Sequence, residues 1–80
     1  MKNIYLIKDL AHVTGYSIET LKYYLKIKLV KEIGRSPETN FRFFDDSTVK
    51  KLQLIRELRR QGASIEEIKL KLRRGSDELL

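Results

Sequence analysis

Eighty residues allow one small hydrophobic core and no more. With 41% hydrophobic and 35% charged residues the chain can fill that core and stay dissolved, but little is left to wall an active-site cleft. Seventeen Lys and Arg against eleven Asp and Glu give a formal charge of +6, the electrostatic footprint of a protein that meets polyanions.

Punctuation at Gly15, Gly34, Gly62 and Gly75 cuts the chain into short pieces. Residues 7–14 read as a short helix with Leu10, Ala11 and Val13 inward. Gly15 closes it, because glycine takes the positive φ of a helix end without a Cβ clash. Ser17 is the expected N-cap of a second helix reaching about Ile27, on which Ile18, Leu21 and Leu25 share one face. Small Ala11, four residues before Gly15, lets the two helices cross closely. The pattern is that of a helix-turn-helix, although an ordinary αα-hairpin would be written similarly.

Next comes Leu29-Val30-Lys31-Glu32-Ile33, a polar stretch over residues 34–40, and the return Phe41-Arg42-Phe43-Phe44. We read this as a two-stranded β-hairpin with a long polar tip, a wing beside the helices. Period two sets Phe41 and Phe43 on one face and Arg42 and Phe44 on the other, and one of those faces must rest on the helices.

Asp45 or Asp46 caps a third helix that ends near Gln61, with Gly62 just past its end. Val49, Leu52, Ile55 and Leu58 form its apolar stripe, with Leu54 alongside and Lys50, Lys51, Arg56, Arg59 and Arg60 largely off it. Ser64 and Glu67 make a capping box that opens a fourth helix to about Arg73, burying Ile65, Ile68 and Leu72. The expected fold is mostly α: a winged helix-turn-helix of four helices and a hairpin wing around one core.

Three stretches in this order resemble the DNA-binding domain of MerR-family transcription regulators, over nearly the whole chain. Gly15-Tyr16-Ser17-Ile18-Glu19-Thr20-Leu21-Lys22-Tyr23-Tyr24 is similar to the family's Gly-Val-Ser-x-x-Thr-Leu-Arg-Tyr-Tyr. Asn40-Phe41-Arg42-Phe43-Phe44-Asp45 stands where the family commonly has Gly-Tyr-Arg-x-Tyr and an acidic residue. The third stretch, Leu52-x-x-Ile55-x-x-Leu58-x-x-x-Gly62-x-Ser64-Ile65-x-x-Ile68, matches the paired final helices. The chain departs from the pattern with Lys22 for the usual Arg, Glu19 at an often basic position, Lys28 where Gly often precedes a Leu, and Phe41 and Phe44 without tyrosine hydroxyls.

The resemblance implies a bacterial regulator that binds double-stranded DNA, with the second helix in the major groove and the wing on the adjacent backbone. Ser17 and Thr20 lie in the first turn of that helix, where unpaired backbone N–H groups favour anions, although Ser17 is a cap under any reading. Lys22 and Lys26 share an outward ridge, and Tyr23 is expected outside with Tyr24 in the core. Arg35 at the tip and Arg42 in the strand are candidates for backbone contacts; the plainer role for Arg42 is to brace the wing against an acidic neighbour. Arg59, Arg60 and His12 read as solvated surface.

No Ser-His-Asp constellation, Gly-rich phosphate loop or metal-ligand cluster occurs, so neither an enzyme nor a cofactor is expected. Cysteine is absent, and a lone histidine cannot hold a metal. No apolar run approaches the roughly 18 residues of a bilayer span, so no membrane is expected and the cytoplasm is the expected compartment. Residues 1–75 would form the DNA-binding domain. Residues 76–80 read as a tail, or as the capped start of the long helix through which family members pair two subunits; by the same resemblance, RNA polymerase is a further partner. Two other classes fit the fold: an excisionase-like or architectural DNA-binding protein, and a protein-interaction module.

Overall fold

Four helices and a small sheet share one core in the computed structural model, which describes residues 3–78, with side chains through residue 73. In chain order the elements are β1 (Ile4–Leu6), α1 (Ile7–Thr14), α2 (Ile18–Lys26), β2 (Gly34–Arg35), β3 (Arg42–Asp45), α3 (Asp46–Arg60) and α4 (Ile65–Glu78). The winged helix-turn-helix is therefore as expected in outline, and the wing carries the largest correction.

The sheet has three strands, not two, in the order β1-β3-β2, all antiparallel. Tyr5 faces Phe44 across β1 and β3, and Arg35 faces Arg42 across β2 and β3. Residues 29–33, expected as the first strand of the hairpin, are not one. Lys28 turns the chain with φ +63°, which sends Leu29 and Val30 into the core, and their N–H groups donate to the Tyr24 carbonyl at 2.8 and 3.4 Å. The ladder starts instead with the Ile33 N–H donating to Phe43 O at 2.9 Å and continues through Gly34 and Arg35, which the sequence placed in the tip. Ser36 N–H to Phe41 O and Asn40 N–H to Ser36 O close a shorter tip. Gly34 leaves room for its neighbour: a Cβ would lie 2.5 Å from Cζ of Phe43, so any other residue would have to displace that ring.

Phe44 is the strand residue that reaches the core, fully buried, while Phe41 is 59% exposed. Around Phe44 gather Leu10, Leu21, Tyr24, Leu52, Ile55 and Ile68. On α1 the inner stripe runs Ile7, Leu10, Ala11, Thr14, the i, i+3, i+4, i+7 set. Val13, expected inward, falls off that stripe and is 51% exposed. On α2, Leu21 and Tyr24 are the buried pair and Leu25 is partly covered, whereas Ile18 sits at the exposed edge. Val49, Leu52, Ile55 and Leu58 of α3 are all buried as expected, with Leu54 outside.

The caps follow the sequence. Ser17 Oγ accepts from Thr20 N–H at 3.1 Å, Asp45 accepts from Ser47 N–H at 3.0 Å, and Ser64 and Glu67 bond reciprocally. α4 runs through Gly75 to Glu78, so Ser76 does not cap a new helix. One glycine inside a helix costs about 1 kcal/mol relative to alanine, too little to break it. Leu79 and Leu80 lie outside the described residues.

Lys28 and Asn40 are the two non-glycine residues at positive φ among the described residues, at the two positions where the resemblance noted above implies glycine. Lysine in the left-handed region costs roughly 1–2 kcal/mol, partly offset by the roughly 0.4–1 kcal/mol that glycine's freer unfolded chain costs. Lys28→Gly should therefore stabilise the fold by about 0.5–1 kcal/mol in thermal unfolding, while Asn40→Gly, replacing a residue that tolerates this region, should stay within about 0.5 kcal/mol.

Candidate nucleic-acid interface

The outward face of α2 is set by its inward one. With Leu21 and Tyr24 buried, Glu19, Lys22, Tyr23 and Lys26 occupy the opposite ridge, again at i, i+3, i+4, i+7, and all four are exposed. Tyr23 and Tyr24 divide as expected: Tyr23 is 52% exposed, and its hydroxyl has no hydrogen-bond partner among the described residues. At the start of the helix Ser17 Oγ also donates to Thr20 Oγ1 at 2.8 Å, so the two hydroxyls form a linked pair over the first turn.

α2 is held in place by the turn before it. Gly15, at φ +79°, donates to Ala11 O at 2.8 Å, and buried Thr14 donates its hydroxyl to Leu10 O at 2.7 Å. Arg56, on α3, reaches across to this turn: its Nη2 donates to Thr14 O at 2.7 Å, and its guanidinium lies 4.5 Å from the centre of the Tyr16 ring. Tyr16 meets Tyr24 edge to face at 5.7 Å and donates its hydroxyl to Leu52 O at 3.1 Å. Burial, and then the neighbouring Tyr24, push the Tyr16 hydroxyl above its ordinary range, which keeps it a proton donor. Periodicity marks Arg56 only as lying off the apolar stripe; the docking of α3 against the turn shows its use.

Three of the expected site residues converge. Lys22, Arg35 and Arg42 line one open groove between α2, the start of α1 and the wing, together with Lys8, Leu6, Ile7, Asn40 and Phe41. No carboxylate lines that groove, and the exposed Phe41 ring lies among its cations. Ser17, Thr20, Tyr23 and Lys26 are not among its lining residues and belong to α2's own first turn and ridge. Lys8 was missed because only the pairing of β1 with β3, itself unforeseen, carries the start of α1 to the wing.

Arg42 does brace the wing. Its Nε lies 3.5 Å from Glu32 Oε2, the oxygen that also accepts from Arg35 Nε at 3.0 Å. Two arginines directly opposite on neighbouring strands would repel, and Glu32 between them turns that repulsion into a clamp. The arginine side chains stay 44% and 42% exposed, so pairing does not withdraw them from the groove. Glu32 is held below its ordinary value of 4.5, first by its own backbone N–H and then by the Arg35 guanidinium. Arg59 and Arg60 are exposed, Arg60 lying 3.8 Å from Glu57. No helix among the described residues is long and apolar enough to cross a membrane.

A capped helix-turn-helix, a three-stranded wing and a basic groove between them define a winged helix-turn-helix domain. Comparison with known proteins narrows the class: the chain belongs to the MerR HTH family of regulatory proteins, whose profile matches residues 5–75. Over 68 residues, 85% of this chain, it is 35% identical to the multidrug-efflux transporter 1 regulator of Bacillus subtilis (strain 168). A MerR-family transcriptional regulator from Bacillus cereus, known from its crystal structure, superposes with a TM-score of 0.81 at 27% identity over 88% of this chain. The chain spans 24% of the first relative's length and 52% of the second's.

Arg56→Met keeps the apolar length of the side chain but leaves Thr14 O without its charged donor, and should lower stability by about 1–3 kcal/mol in denaturant titration. A second outcome concerns pH. Because the folded value for Glu32 is depressed, its stabilisation of the wing is fully present above the unfolded value near 4.5 and is lost as pH falls through the lower folded one. Cross-strand contacts between Arg35 and Arg42, followed by NMR, should weaken across that acid window, and Glu32→Gln should show the weakened pattern at neutral pH.

Proposed function

We propose that this chain is the DNA-binding module of a transcription regulator, with α2 entering the major groove and the wing lying along the adjacent sugar–phosphate backbone. The observation that carries the reading is the groove itself: Lys22, Arg35 and Arg42, singled out from two separate segments, meet there with Lys8 and without a carboxylate. Phosphate contacts from these cations would supply most of the affinity. The ridge of Glu19, Lys22, Tyr23 and Lys26 would face base edges and flanking phosphates, with the first turn of α2 presenting its N–H groups and the Ser17–Thr20 pair to the backbone. Lysine at position 22 is a point charge without arginine's fork, so it favours phosphate or a single base acceptor over bidentate reading of guanine.

Family membership supports the double-stranded DNA target, and the likeness to two regulators supports the regulatory role. A lone module of this size buries only about 600–1,000 Å² on DNA, which favours a second module acting alongside it in the assembled regulator. Pairing of two subunits and engagement of RNA polymerase are parts of this proposal.

Fluorescence anisotropy on a labelled duplex, repeated across salt concentrations, tests the reading. Binding should fall linearly on a log–log salt plot, and Lys22→Ala should weaken it and lower the slope by about 1. Arg42→Ala should weaken it with a smaller change of slope, because Glu32 already offsets part of its charge. The circular dichroism spectrum should be unchanged in both. Wild-type affinity in both variants would show that the groove is not the contact surface.

A further inference from the structure

The basic groove beside the wing is one end of a longer track. It shares Arg35 and Arg42 with a second cleft at the base of the wing, to which Lys28 and Lys31 contribute and where Glu32 is the one carboxylate. Those two lysines also line a third cleft, where the end of α2 meets α3 and α4, together with Lys51, Lys69 and Arg73 above Leu29 and Leu72. No carboxylate lines this third cleft, and none of its cations forms an ion pair among the described residues. Lys69 is half-buried there, and Lys28 holds a left-handed conformation that costs a lysine free energy and a glycine none. A strained cation, a partly desolvated one and a cluster without a carboxylate in one cleft make a surface suited to a polyanion.

We propose that the α2–α3–α4 cleft is a second phosphate-binding site, which holds DNA backbone outside the segment that α2 reads. This rests on the DNA-binding reading above and extends its footprint. Continuity favours a nucleic acid over an acidic protein segment, since each cleft shares cations with the next and a continuous polyanion can follow them. Four of the five cations are lysines, whose ammonium groups have no preferred bond direction and accept phosphates at variable register. No aromatic side chain lines the cleft, so it has no platform for stacked bases and addresses the backbone alone. The nine residues of α2 span about 13 Å from its first turn to the cleft, a distance of roughly four base-pair steps. The phosphates could come from the flank of the bound duplex or from a second duplex.

The test compares wild type with Lys51→Gln/Lys69→Gln/Arg73→Gln, whose positions lie outside the groove assigned to recognition. Both are titrated across salt onto duplexes of roughly 15 and 30 base pairs, about one and a half and three helical turns. Their folds are compared by circular dichroism. If the flank is held, one duplex binds per protein and the triple variant loses about 0.9 of the salt slope per contact removed on both lengths, because the cleft lies only about four base-pair steps from the first turn of α2. If a second duplex is held, wild type binds two short duplexes at saturation and the variant binds one. Identical slopes and stoichiometries overturn the proposal. So does poly-glutamate binding lost in the variant with DNA binding unchanged, which would assign the cleft to an acidic protein segment. Failure of wild type to bind the short duplex at low salt would instead sink the DNA-binding reading itself.

Discussion

The placement of α2 depends on one side chain from another helix. A turn between two short helices leaves the last carbonyls of the first without partners, and each of those groups is a cost if covered and unpaired. Arg56 answers one of them at Thr14 O, brings a positive charge to the negative end of α1, and lies against the Tyr16 ring in the same reach. Tyr16 in turn bonds to Leu52 O on α3 and meets Tyr24 on the buried side of α2. The angle of the exposed ridge is therefore fixed by contacts on the hidden side of the helix, and a change at Arg56 would be felt at Lys22 without any contact between them.

How much of this was legible from the residues depended on the range of the interaction. Caps are local, so Ser17, Asp45 and the Ser64–Glu67 box could be placed from spacing alone. So could the stripe of α3, where four apolar residues recur over nearly three turns and leave no second solution. The short elements were harder. β1 has three residues, and no alternation can be recognised over so few; its existence depends on β3, about forty residues away. Residues 29–33 carry a strand-like composition, but the left-handed turn at Lys28 spends the first two of them on the core. Glycine, the usual residue for such a turn, is absent there, and the departure from the family pattern at Lys28 is its mark in the sequence.

The site divides along the same line. Lys22, Arg35 and Arg42 are cations on the helix and wing that the resemblance assigns to DNA, and the fold gathers them in one groove. Lys8 joins them through a strand pairing, and Arg56 supports them through a helix packing, both beyond the reach of periodicity. The two proposed roles for Arg42, bracing and contact, were framed as rivals, yet the geometry is compatible with both. Its Nε takes the pairing with Glu32 while the side chain remains part of the groove.

That shared carboxylate also shapes how an anion would exchange onto the wing. A lysine that neutralises a phosphate frees cations condensed on the DNA, and their release into solution is the entropic drive of such contacts. Arg35 and Arg42 already hold a counter-ion that is covalently part of the chain and cannot diffuse away. The two guanidiniums and that one carboxylate carry a single net positive charge, so together they free fewer condensed cations than two unpaired lysines would. The two arginines thus act as a pre-aligned but partly neutralised pair, contributing shape and register to the wing more than they contribute sensitivity to ionic strength, while the unpaired lysines of the surface carry the salt response.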